Sequence, residues 1–316
     1  MKMTLTDLQS KMTSYVDHIK QVGAWVESRN SFTGMLDKVG KQITLVGGFY
    51  DRLEALNGDD LPLGKTIEEY FIDLTLPTSF TSASVDGAKD LEPALPSVGE
   101  VSYSYSLGRQ YVKTTIPYDN FERAVISTEG AANIATDIMT KLQNSYDMAR
   151  YAIKKQLLGN AATKCIEAGN DDVLPVITDA TSGENWIKKV KEDIESAQFA
   201  NEMSLSGNLI GAAPELVLYV KKGVIPALEV TTYAGAFNRG DLAVPARIEV
   251  VDDFGNNTDT VAILADSRAI KVHNGYNAVR SKENATGDFI NFVRHYEVTG
   301  FISKYAFIKS YKNTQA

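Results

Sequence analysis

The stretch "EVSYSYSLGRQYVKTTIPYDNFERA", residues 100–124, changes character twice, and its reading sets the architecture. In Val101 to Leu107 large side chains alternate with serine, the period-two signature of a strand with two different faces. Gly108-Arg109 can turn the chain and Gln110 to Ile116 can return it, so the pattern predicts a projecting β-hairpin over Glu100–Ile116. A two-stranded ribbon is marginal by itself. Its tyrosines Tyr103, Tyr105 and Tyr111, with Arg109 at the turn, therefore call for a partner surface. Pro117 ends the ribbon, and Asp119 followed by Glu122 starts a helix.

Downstream, Ile134, Ile138, Leu142, Tyr146, Ala149, Ile153 and Leu157 form one helical seam. Lys154-Lys155 suits the C-terminal end of that helix, and Gly159 is the expected stop. At about 30 residues it far exceeds the average of ~11 and reads as a beam on which other elements pack. Upstream, Pro77 to Gly99 is rich in Ser, Thr, Pro, Ala and Gly and reads as an extended loop. Still earlier, residues 4–29 repeat apolar side chains at helical steps, Leu8, Met12 and Tyr15 among them. That amphipathic stripe must dock on its own body or on a neighbour.

Beyond the long helix, 171–183 reads as a linker, and Glu184–Phe199 as a helix with Trp186, Ile187, Val190 and Ile194 inward. Glu215–Val220 and Arg247–Val251 read as core strands, Thr260–Val272 holds two apolar runs, and Phe292–Tyr311 reads as a hairpin or one long bent strand. Helix and antiparallel sheet are mixed without a βαβ series, so the class is α+β.

The chain has 316 residues, 44% hydrophobic and 23% charged, with a net charge of −8. The spread acidity argues against gripping DNA through concentrated Lys and Arg. Apolar runs are far short of the ~20 residues that span a bilayer, so no membrane association is expected. The lone Cys165 excludes a disulfide framework and a thiolate zinc cage.

Chemistry-bearing motifs are weak. Gly64-Lys65-Thr66 ends like a phosphate loop, but position 59, where the earlier glycine belongs, is Asp, and Asp60 and Pro62 also oppose an anion cradle. His18, His273 and His295 show no metal-ligand spacing, and Asp252-Asp253 precedes Gly255-Asn256-Asn257 as a solvated turn does. No catalytic residue, metal or cofactor is expected.

Three stretches carry a resemblance: residues 100–124, "ARIEVVDDFGNNTDTVAILADSRAIKVHNGYNAVRSK" (246–282) and "FVRHYEVTGFISKYAFIKSYK" (292–312). Together with the element order, they resemble the major capsid proteins of tailed double-stranded DNA phages. "PLGKTIEEYFIDLTLPTSF" (62–80) is similar to the small podophage type. The resemblance implies an N-terminal helical arm (1–39), a first peripheral segment (40–76), an extended loop with the hairpin (77–117) and a peripheral spine helix (118–160). An axial domain (161–290) and closing peripheral strands (291–316) complete it.

It also implies a structural subunit that self-assembles as pentamers and hexamers into an icosahedral virion shell, built in the host cytoplasm. A separate scaffolding protein, a portal protein and non-specific proximity to packaged DNA would accompany it. Leu8, Met12, Tyr15, Tyr103, Tyr105, Arg109 and Tyr111 would be inter-subunit contacts. An encapsulin-like compartment shell is the alternative; a tail-associated binding module and an enzyme fit the residues less well.

Overall fold

The computed structural model describes residues 48–49, 51–61, 67–72, 98–103, 106–117, 128–233, 244–284, 286–287 and 289–313. The N-terminal arm with Leu8, Met12 and Tyr15, and the Gly64-Lys65-Thr66 motif, lie outside the described residues.

Three sheets, three α-helices and one 3-10 turn (Glu54–Leu56) make up this part. Strands β1 (Ile67–Ile72) and β2 (Val98–Tyr103) form an antiparallel ribbon, with Ile67 opposite Tyr103 and Ile72 opposite Val98. Strand β3 (Ser106–Pro117) belongs to a three-stranded antiparallel sheet in the order β3-β9-β8, with β8 at Ile270–Asn284 and β9 at Phe289–Ile302. A five-stranded mixed sheet has the order β4-β10-β7-β5-β6, from β4 (Asp171–Leu174), β5 (Leu216–Lys221), β6 (Arg247–Val251), β7 (Thr260–Asp266) and β10 (Ile308–Asn313). The helices are α1 (Thr128–Ala168), α2 (Ala180–Ala197) and α3 (Val224–Tyr233).

The expected hairpin over Glu100–Ile116 is therefore corrected. A ribbon exists, but β2 pairs with β1 and β3 pairs with β9. Gly108 and Arg109 lie within β3, where the register against β9 shifts between Ser106 and Arg109. Alternating side chains specify a strand and its two faces; they do not specify which strand supplies the hydrogen bonds. The C-terminal expectation splits similarly: β9 and β10 enter different sheets, joined through Ser303–Phe307.

Helix α1 runs to Ala168 and passes through Gly159. It ends at Gly169, whose φ of +73° only glycine adopts freely. There the Gly169 N–H donates to the Ile166 carbonyl at 3.2 Å and the Asn170 N–H to the Cys165 carbonyl at 2.8 Å, a Schellman closure. Lys154 thus sits in mid-helix, fully buried, donating to Asp51, to the Leu53 carbonyl at 2.8 Å and to Asn57 Oδ1 at 2.6 Å. These acceptors hold the segment 51–61 as a strap across the body. The Ala55 N–H donates to Glu249 on β6 at 2.9 Å, and the Gly58 and Leu61 N–H groups reach the Val272 and Asn274 carbonyls on β8 at 3.0 and 2.8 Å. Leu53 and Leu56 of the strap are fully buried.

Both faces of the five-stranded sheet are covered. Val217, Tyr219, Ile263 and Ala265 pack toward Leu158, Ala161, Ala162 and Cys165 of α1. Their neighbours Leu216, Leu218, Val220, Ala262 and Leu264 pack toward Trp186, Val190 and Ile194 of α2. Two covered faces explain why "LVLYV" and "TVAILAD" are continuously apolar or buried instead of alternating in polarity. Part of the segment read as linker is strand β4, and α2 begins earlier than expected. Asp179 accepts from the Ser182 N–H at 2.8 Å while Ser182 Oγ accepts from the Asp179 N–H at 3.0 Å, a reciprocal cap.

Candidate subunit interface

The three-stranded sheet has one face on α1, and on its other face, among the described residues, Arg109, Tyr111, Lys113, Thr115, Arg280 and Lys282 are exposed while Ala278 is buried. Phe292, Arg294, Tyr296 and Val298 alternate inward from β9. Tyr296 meets Tyr146 edge to face with centroids 5.1 Å apart, and the Arg294 guanidinium lies 4.0 Å over the Tyr146 ring. Burial there pushes the arginine below its usual basicity.

The opposite face is arranged in rows by the strand register. Arg109, Glu297 and Tyr276 form one row, Tyr111, His295 and Ala278 the next, then Lys113, Val293 and Arg280, and last Thr115, Asn291 and Lys282. A bulge at Gly275 makes this arrangement. Up to Asn274, even-numbered β8 residues point inward, where Asn274 accepts from the Tyr146 hydroxyl at 3.0 Å. The extra residue shifts the register, so that Tyr276 and Arg280 emerge on the open face while Asn277 turns inward to accept from Arg294. Arg109 then lies 4.4 Å over the Tyr276 ring, and Arg280 donates to the Tyr276 hydroxyl at 3.2 Å. Tyr111 is 65% exposed, with its ring centroid 6.0 Å from that of His295.

The ribbon shows the same division. Its inner residues tie it to the body: Glu69 accepts from Ser303 Oγ and, at 3.0 Å, from the Lys304 N–H, and Phe71 stacks on Tyr305 at 4.7 Å. Its outer residues are Glu68, Tyr70 and Ile72, with Glu100 opposite Tyr70 on β2; Tyr70 and Ile72 are each 62% exposed. The Tyr70 hydroxyl donates to Glu68 at 2.9 Å and lies 3.4 Å from Glu100. The hydrogen bond to Glu68 and then the Glu100 charge push the phenol above its usual pKa.

Several other described polar groups tie one element to another. The Asp252 and Asp253 carboxylates receive Lys155 at 2.9 and 2.8 Å, and Asp252 also accepts from Tyr151 at 2.7 Å, so this turn is fastened to α1. Burial pushes the Cys165 thiol up to about 12. His273 bonds the Asp59 carbonyl of the strap at 2.8 Å. A cleft of about 440 Å³ opens beneath the ribbon beside Phe71, Tyr305 and Phe307, and its Asp266 is paired with Arg268 at 2.7 Å. Among the described residues no three His, Cys, Asp or Glu side chains gather as metal ligands, and no helix is long and apolar enough to cross a membrane.

Of the expected contact residues, Arg109 and Tyr111 come together on the open sheet face. The Tyr103 backbone pairs with Ile67 in the ribbon, so Tyr103 and Tyr111 belong to different sheets and do not form one stripe. Tyr105 and the Tyr103 side chain, like Leu8, Met12 and Tyr15, lie outside the described residues. Sequence reasoning missed Glu68, Tyr70, Ile72, Tyr276 and Arg280. The "IEEYFI" period of two could have disclosed the first three, and Gly275 within a strand-like run was a bulge signal.

The family model for the Phi29-like phage major capsid protein matches residues 9–306. Two curated relatives are the major capsid proteins of Bacillus phage PZA and Bacillus phage B103. The first is 22% identical over 300 residues, 92% of this chain and 66% of the relative; the second is 22% identical over 293 residues, 88% and 63%. The chain thus spans just under two thirds of the length of these relatives. Among solved structures, the capsid of Staphylococcus phage Andhra superposes with a TM-score of 0.68 at 12% identity, covering 88% of both chains. The mature capsid of bacteriophage PhiM1 gives 0.58 at 11% identity, covering 88% of this chain and 92% of that one. The fold is that of tailed-phage capsid proteins.

Proposed function

The chain belongs to the Phi29-like phage major capsid protein family, and from that premise we propose that it is the repeating subunit of a phage head, closing as pentamers and hexamers around packaged double-stranded DNA. The family match over residues 9–306 carries this reading. The geometry supports it, because the ribbon and the open sheet leave two aromatic and charged faces uncovered on one chain. An icosahedral shell needs such distributed contacts, since each subunit meets several neighbours through non-identical patches. The phage capsids among the relatives favour a genome container over an encapsulin-like compartment.

In this reading the ribbon, with the segment between its strands, reaches an adjacent subunit, Tyr103 and Tyr105 supply contact area near it, and Arg109 and Tyr111 supply contact area on the three-stranded sheet. The arm with Leu8, Met12 and Tyr15 binds laterally. Residues 161–290 gather around the capsomer axis, a separate scaffolding protein guides closure in the host cytoplasm, and a portal occupies one vertex. The role is structural, with no reaction assigned to any residue.

Sedimentation and electron microscopy of the full chain, expressed alone and with its scaffold, test the proposal. Capsomers or closed shells are expected. A stable monomer under every condition would overturn it.

A further inference from the structure

Lys154 is a buried amine that the shell role leaves unused. It has 0% exposure, touches the Asp51 carboxylate and lies 2.6 Å from the side-chain oxygen of Asn57. Asp51 and Asn57 stand 103 and 97 positions from it in the chain, so only the fold assembles this trio. We infer that Lys154 and Asn57 join in an isopeptide bond within one chain, Asp51 carrying the proton and ammonia leaving. This goes beyond the shell-subunit reading and does not rest on it.

The step balances without a cofactor. The Lys154 ammonium passes a proton to Asp51, and the freed amine attacks the side-chain carbonyl carbon of Asn57, forming the new C–N bond. Asp51 returns that proton to the Asn57 amide nitrogen and the old C–N bond breaks. The surplus proton on the new amide leaves with ammonia as ammonium. An amide replaces an amide, so nothing is oxidised or reduced.

Burial lowers the basicity of Lys154 against the opposing pull of Asp51, so the amine gives up its proton more readily than an exposed lysine does. The reacting groups are held in place from both sides. The Asn57 N–H donates to the Glu54 carbonyl at 2.9 Å, and the Gly58 N–H to the Val272 carbonyl at 3.0 Å. Fixed placement of two reactants is worth an effective concentration of about 10⁵–10⁸ M. Asn57 is itself exposed, which gives ammonia a way out. An Asn-Gly pair ordinarily closes on its own backbone, the glycine nitrogen attacking the asparagine side chain. Here that nitrogen is committed to Val272 and Asn57 has an extended ψ of 123°, so the lysine is the nucleophile in reach. The bond fastens the strap to α1. Because the strap lies between the N-terminal segment and β1, pull on either passes covalently into the long helix.

Mass spectrometry of the full chain tests the bond: the intact chain is expected to be lighter than its sequence by one ammonia. Tryptic digestion should yield a branched peptide joining Leu53–Lys65 to Tyr151–Lys155, since trypsin does not cut after an acylated lysine. Asn57→Ala and Lys154→Arg should each restore the full sequence mass. Asp51→Asn should slow ligation roughly a hundredfold, followed as the branched fraction over time, whereas Asp51→Glu keeps a carboxylate and should ligate. A wild-type chain of unaltered mass overturns the proposal. So does ammonia loss without the branched peptide, the mark of ring closure at Asn57-Gly58. Ligation at an unchanged rate in Asp51→Asn overturns the role given to Asp51. None of these outcomes depends on whether shells form, so this proposal and the shell-subunit reading fail separately.

Discussion

Lys154 shows how a single residue can change meaning between sequence and fold. In the sequence it stands beside Lys155 and looks like a cation at a helix end. In the fold it is the buried anchor for the 51–61 strap, satisfied by a carboxylate, a backbone carbonyl and an amide oxygen. Burial lowers its basicity while the hydrogen bond and charge of Asp51 oppose that shift. Removing one member of such a set leaves the others buried without a partner, at a cost of about 3–5 kcal/mol. Lys154→Ala is therefore expected to destabilise the chain by that order, measured as a lowered urea midpoint with the strap's amides losing hydrogen-exchange protection. Lys154→Met with Asp51→Asn refills the space and removes the charge, and should recover part of the loss. An unchanged midpoint in Lys154→Ala would show that the strap is held by Leu53 and Leu56 alone.

Gly159 makes the corresponding point for an element. A glycine in a helical pattern reads as a stop, and by propensity alone Gly→Ala inside a helix should gain about 1 kcal/mol. Here a Cβ at 159 would run into the carbonyl oxygen of Phe254, in the turn that Lys155 and Tyr151 fasten to α1. The glycine is present for close approach, and the helix continues to Gly169. Gly159→Ala should lower stability by about 1–3 kcal/mol through overpacking, read as a lower melting temperature. A rise would mean that the turn yields and propensity wins. Gly275 is the equivalent device in β8: one inserted residue reverses the alternation and thereby decides which side chains the open face carries.

For the whole molecule, the exchange of strand partners alters where the segment proposed to reach a neighbour may be cut. Were β2 and β3 a free hairpin, residues 80–112 could be removed without harm to the body. But β3 is a member of the sheet on α1, with Thr114 buried and Val112 packed on the core, so that deletion would damage the subunit itself. The reading proposed above puts the reach to a neighbour in the segment that joins β1 to β2. Replacing residues 78–95 by a short Gly/Ser linker should leave a soluble chain with an unchanged melting temperature that forms no closed shells, seen by gradient sedimentation and negative-stain microscopy. Normal shells from this deletion would remove the loop from the assembly mechanism.

Local pattern was enough to locate the α+β class, the long helix, the inward face of α2 and the strands at Glu215–Val220 and Arg247–Val251, because periodicity and short-range chemistry determine these. The resemblance across residues 100–124, 246–282 and 292–312 pointed to the family that the match over 9–306 shows. Tertiary structure decided what depends on distant partners: that β2 joins β1 and β3 joins β9, that Lys154 is buried, and that Tyr70, Tyr276 and Arg280 face outward beside the expected Arg109 and Tyr111. A strand's alternation is local, whereas its hydrogen-bonding partner, a bulge's register and a cation's burial are set by residues often a hundred or more positions away.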